Sequence, residues 1–149
     1  MGLQKPKRFP YGEMDPPVQP LCRAINAFPG VFTIGSCGGH AEGGELPADQ
    51  WRVDFRAEVT DDHRPTVDAW LSAEFIAWVL RDLYRGDMAV FASFWSPPPY
   101  LNYPGQMLTF EIHGWRPSAE PEEVAAQLKA FRRGQYVGAR AVHLYCESD

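Results

Sequence analysis

Trp51-Arg52-Val53-Asp54-Phe55-Arg56-Ala57-Glu58-Val59 alternates apolar and charged residues from end to end. Successive side chains of a strand point to opposite faces, so this period of two reads as a half-buried β-strand. Trp51, Val53, Phe55, Ala57 and Val59 form the core-facing set. Arg52, Asp54, Arg56 and Glu58 form the other, and their alternating signs predict mutual pairing on a solvated sheet surface. A sheet with one wet face is commonly antiparallel. The remaining chain must then supply partner strands, together with helices that cover the apolar face.

Downstream, Thr60 to Pro65 is a polar helix-entry loop, and a long helix is expected over 66–85. Its apolar stripe reads as Val67, Trp70, Leu71, Phe75, Trp78, Val79 and Leu83, with Gly86 as the stop. Upstream, Ser36 to Asp49 reads as a loop and Val31 to Gly35 as a short β-branched and aromatic strand. Before that strand, Asp15-Pro16-Pro17 is a helix-start signal: an N-cap carboxylate followed by prolines where no N–H is needed. Val18, Leu21, Cys22, Ile25 and Phe28 then recur at helical spacing until Pro29-Gly30, which places a helix near 16–28. Residues 1–14, broken by Pro6, Pro10 and Gly12, read as a flexible N-terminal arm.

The second half repeats this plan. Met88 to Trp95 is an apolar run, Met107 to Trp115 alternates, and a helix with acidic residues in its first turn is expected over 120–133. The alternating strands begin at 51 and 107 and the helices at 66 and 121, offsets of 56 and 55 residues. Tyr136 to Cys146 is β-rich and reads as a last strand. The expected fold is α+β: two ββα units sharing a largely antiparallel or mixed sheet of four to five strands. Helices pack on one face, with an extra N-terminal helix, and residues 15–149 form a single domain.

A chain of 149 residues suits one domain with a core of ordinary size. A net charge of -5 disfavours a broad nucleic-acid surface, which wants clustered Lys and Arg. No apolar run approaches a membrane span, and no membrane association is expected. Three scattered cysteines make no disulfide framework, so a reducing, cytoplasmic setting is the default.

Chemistry concentrates in Ser36-Cys37-Gly38-Gly39-His40, where a hydroxyl, a thiol and an imidazole share a glycine loop. Such a loop can cradle a ligand with backbone N–H groups, hold half of a metal site, or activate a nucleophile. No orienting partner for a Cys–His nucleophile is evident; Glu42 and Glu45 are the nearest carboxylates. Cys37-x-x-His40 and His143-x-x-Cys146 together offer four zinc ligands, but residues three apart on a strand point to opposite faces, so no metal site is expected. His113, on the polar side of its strand, and Tyr100 and Tyr103, in a proline-stiffened loop, complete the candidate ligand-binding set. There is no dinucleotide fingerprint, phosphate loop, serine-hydrolase elbow or zinc-protease motif.

At Ile25-Asn26, Pro29-Gly30-Val31, Thr33 and Ser36-Cys37-Gly38-Gly39-His40, residues 21–40 resemble the N-terminal part of the wybutosine-synthesizing protein 3 family. That family has a helix, a Pro-Gly turn, a Thr-bearing strand and a Ser-Cys-x-Gly-basic loop; His40 stands where it usually carries arginine. Similar Ser-Cys-x-Gly-His loops occur in small bacterial and phage proteins without assigned activity. The resemblance implies methylation of a tricyclic tRNA base with S-adenosylmethionine as cofactor; the residues themselves call for no cofactor. Three readings follow: a domain binding a small molecule or nucleotide at Ser36–His40, an S-adenosylmethionine-dependent RNA methyltransferase, and a protein-interaction module without catalysis.

Overall fold

The computed structural model describes residues 14–41, 45–62, 64–95 and 107–132. Tyr100, Tyr103, His63 and the expected strand at 136–146 lie outside the described residues. The chain enters through a 3-10 turn, Pro16–Val18, that runs into helix α1, Gln19–Asn26. Strand β1, Val31–Cys37, and strand β2, Gln50–Ala57, form an antiparallel hairpin. Helix α2, Val67–Leu83, follows, then β3, Met88–Trp95, β4, Met107–Trp115, and helix α3 over 121–132. The four strands make one sheet in the order β1-β2-β4-β3, every neighbouring pair antiparallel. This is the expected α+β class, built as two strand–strand–helix units joined at the central β2–β4 pair.

Trp51, Val53 and Phe55 lie fully buried on one face of β2, in a single cluster with Leu21 and Ile25 of α1, Ile76 and Leu80 of α2, and Val124 and Leu128 of α3. The helices therefore cover one face. Gly114, opposite Trp51 in the register, makes room for the indole: a Cβ there would come within 2.2 Å of the ring. The indole N–H donates to the Ala119 carbonyl at 2.7 Å, which satisfies its one polar atom inside the core.

α1 and β1 are pinned together by a reciprocal pair. The Thr33 N–H donates to Asn26 Oδ1 at 2.7 Å, and Asn26 Nδ2 donates to Thr33 Oγ1 at 2.9 Å. Gly30 turns the chain between them at φ +73°, with Ala69 of α2 packed so close that a Cβ would lie 2.7 Å from its amide nitrogen. Positive φ and close backbone approach both require glycine here.

Four expectations need correction. The Asp15 side chain makes no capping hydrogen bond to the turn it precedes; its carboxylate reaches the glycine loop instead. β1 runs on through Cys37 past a register irregularity between Thr33 and Gly35, so the loop begins at Gly38 rather than Ser36. The second face of β2 is not solvated: Asp54 is 1% exposed and Arg56 is buried, its guanidinium 5.3 Å above the Phe32 ring. The apolar stripe of α2 is also rotated. Ala69, Ser72, Ala73, Phe75, Ile76, Val79 and Leu80 are buried, while Val67, Trp70 and Trp78 are exposed.

Candidate functional site

The end of β1 carries the site. Cys37 closes the strand opposite Arg52 and is 3% exposed. The next peptide turns sharply: Gly38 N–H donates to Asp15 Oδ2 at 2.8 Å. Gly39 takes φ +85°, and a Cβ on it would run into the Gln50 and Pro47 carbonyls. No other residue fits that position without moving backbone. His40 follows, its N–H donating to the Leu46 carbonyl at 2.9 Å.

That turn swings the imidazole over Asp15, whose Oδ2 lies 2.9 Å from His40 Nε2. One oxygen thus serves two partners, the Gly38 amide and the His40 ring. The His40 and Asp15 side chains are 40% and 33% exposed, so they form an open rim above the buried Cys37 thiol. One donor atom from each of the three side chains falls within 4.8 Å of the others.

The opposite wall of the loop is fastened from the second unit. Arg116 Nη1 donates to the Ala48 carbonyl at 3.0 Å and the Gln50 carbonyl at 3.2 Å, while its Nε pairs with Glu120 at 3.1 Å. The Arg116 N–H donates to the Asp49 carbonyl at 2.7 Å. Arg116 thereby fastens the 48–50 end of the loop to the second unit.

Beside the loop, the register aligns Cys37, Arg52 and His113 across three strands. Arg52 bridges Asp54, at 3.0 Å, and Glu45. His113 Nε2 meets Gln50 Oε1 at 3.0 Å, and its ring stacks on Trp115 with centroids 4.5 Å apart. Glu111 Oε1 stands 3.8 Å from His113 Nδ1. Burial pushes the Asp54 carboxyl up to about 7; Arg52 pulls it down and Glu111 adds to the rise.

Comparison with protein families, with curated proteins and with solved structures finds no match.

Of the residues singled out in the sequence, Cys37, Gly38, Gly39 and His40 come together. Ser36 does not join them: it pairs with Val53, and with Thr33 it hydrogen-bonds the Cys22 thiol on α1. Burial pushes that thiol up to about 11, which makes Cys22 a structural, unreactive sulfur. His113 lies on the same face as Arg52, one strand beyond β2 from the loop. Tyr100 and Tyr103, and the His143 and Cys146 pair, fall outside the described residues.

Asp15 is the residue that sequence reasoning missed as a site member. Asp-Pro-Pro before a helical pattern is an adequate capping signal, and only the fold reveals that the carboxylate points 23 positions downstream to Gly38. Its presence supplies the orienting group that a Cys–His pair lacked. The burial of Cys37 nonetheless favours a donor at the floor of a site over an exposed nucleophile.

Proposed function

We propose that this chain is a small-ligand-binding domain whose site is the mouth formed by Asp15, Cys37 and His40, working in a reducing, cytoplasmic setting. The observation that carries the reading is the convergence of these three side chains at a loop whose shape is already held by Gly39 and Arg116. Asp15 tethers the Gly38 amide and Cys37 is buried, but the imidazole of His40 stands 40% exposed beside both, a polar group that core packing does not require there. Three convergent polar groups of different chemistry are of the size and kind that orient a small molecule.

The resemblance of residues 21–40 to the wybutosine-synthesis family supplies a second reading, in which the ligand is S-adenosylmethionine and the substrate an RNA base. The net charge of -5 favours the small molecule over RNA as partner.

Thermal-shift titration separates these readings. The full chain is screened with adenine and guanine nucleotides, free nucleobases and S-adenosylmethionine at millimolar concentration. A ligand at a hundredfold excess over its Kd stabilises by about 2.7 kcal/mol, a rise of several degrees for a chain of this length. The expected result is such a rise with one nucleotide or nucleobase and its loss in His40→Gln. A response to S-adenosylmethionine alone selects the second reading; a flat panel removes both.

A further inference from the structure

We propose that Cys37, His40 and Asp15 bind a divalent transition metal ion of the zinc class, with a fourth coordination position open to the ligand. The proposal deepens the ligand-binding reading and rests on the same site, but its test reads the metal alone.

The donor set decides the class of ion. A thiolate and an imidazole select zinc, cobalt or nickel over magnesium or calcium, which take oxygen ligands. Placement agrees. Around zinc, ligands at 2.0–2.3 Å and tetrahedral angles stand about 3.3–3.7 Å apart. The three donors here lie within 4.8 Å of one another, and His40 Nε2 is 2.9 Å from Asp15 Oδ2. Small rotations of the two rim side chains, both part-exposed, bring all three onto one ion. Cys37 stands on backbone fixed in the β1–β2 ladder.

The surroundings fit as well. The Gly38 N–H donates to Asp15 Oδ2 at 2.8 Å, which fixes the carboxylate beside the site, as outer hydrogen bonds commonly hold metal-binding carboxylates. Two consecutive glycines between Cys37 and His40 let both side chains turn to the same point. Strand alternation argued against pairing Cys37 and His40 with His143 and Cys146; Asp15 completes a three-ligand set without them. Three protein ligands and one open position is the arrangement of zinc sites that bind or activate a further molecule, not of closed structural sites.

The full chain, stripped with a chelator and dialysed, is titrated with cobalt(II) and then zinc(II). One equivalent of cobalt should give tetrahedral d–d bands and a near-ultraviolet thiolate-to-cobalt charge-transfer band, both bleached by zinc. Cys37→Ser should abolish the charge-transfer band. His40→Gln and Asp15→Asn should each weaken zinc at least tenfold in competition with a chromophoric chelator, with unchanged circular dichroism. His40→Gln, at the exposed rim, keeps the test decisive should Cys37→Ser not fold. Cys146→Ser should leave the spectrum as in the wild type. Absence of the bands in the wild type, their survival in Cys37→Ser, or their loss in Cys146→Ser overturns the proposal. A nucleotide that stabilises a chain taking up no cobalt leaves the ligand reading standing and removes the metal. Cobalt uptake with a flat ligand panel does the reverse.

Discussion

Asp54 lies on β2 with one carboxylate oxygen on Arg52 and the other, among the described residues, without a hydrogen bond. Its burial holds the proton until about pH 7, whereas the unfolded chain releases it near 3.8. Between these values the native state binds more protons, so rising pH draws the equilibrium toward unfolding. The stabilisation is fully present below about pH 4 and is lost as pH climbs through 7. At about 1.4 kcal/mol per unit the effect is on the order of a few kcal/mol. Urea midpoints at pH 4.5 and 7.5 should therefore fall more steeply for the wild type than for Asp54→Asn, and parallel profiles would show that Asp54 does not hold this proton. The alternation of Trp51–Val59 made the two faces of β2 legible, but charge alternation says nothing of what covers the polar face. The site shows the same limit. Cys37-Gly-Gly-His40 is visible as a glycine-spaced pair of donors. The aim of Asp15 depends on how α1 docks against β1, which its capping pattern does not encode.

At the scale of an element, α2 shows why a stripe drawn through the largest apolar residues misleads. The start of the helix crosses the Pro29-Gly30 turn at very short range: Ala69 sits against Gly30, and Ser72 Oγ donates to the Pro29 carbonyl at 2.7 Å. Only small residues fit there, so Ala69, Ser72 and Ala73 take the inner face and the tryptophans turn outward. Thr66 caps the helix through Ala69 N–H at 3.2 Å, which fixes this phase from the first turn. Trp70 and Trp78 are 50% and 55% exposed despite their size. Replacing either by Gln should cost on the order of 1 kcal/mol, since half of each ring is buried, whereas Ile76→Ala, from the fully buried side, should cost about 2–5 kcal/mol. Denaturant titrations of the three variants check the phase directly; a large loss at Trp78 together with a small one at Ile76 would reverse it.

Across the whole molecule, the two strand–strand–helix units are interlocked rather than juxtaposed. The near-constant offset of 56 and 55 residues made the units readable, because periodicity reports what each segment is. Strand order stayed hidden, because α2 carries the chain from central β2 past β4 to the far edge, and no local pattern encodes that choice. The consequence lies at the seam. Trp51 belongs to the first unit, yet its ring packs on Gly114 and its N–H is satisfied by Ala119, both from the second. Ile112, Val124 and Leu128 of the second unit close the same core as Val53 and Phe55 of the first. Arg116 of the second unit fastens the loop that carries His40. A fragment ending at Gly86 keeps β1, β2, α1 and α2 but loses the strand that pairs with β2 and the cover over Trp51. Its buried indole N–H would lose its acceptor, and its apolar face would meet water. Residues 1–86 alone should therefore give no cooperative thermal transition and poorly dispersed amide resonances. Mixing them with residues 87–149 should restore both, along with a blue shift of tryptophan emission. Independent folding of 1–86 would mean that the β2–β4 seam joins two finished halves, and that the His40 loop is shaped within the first unit alone.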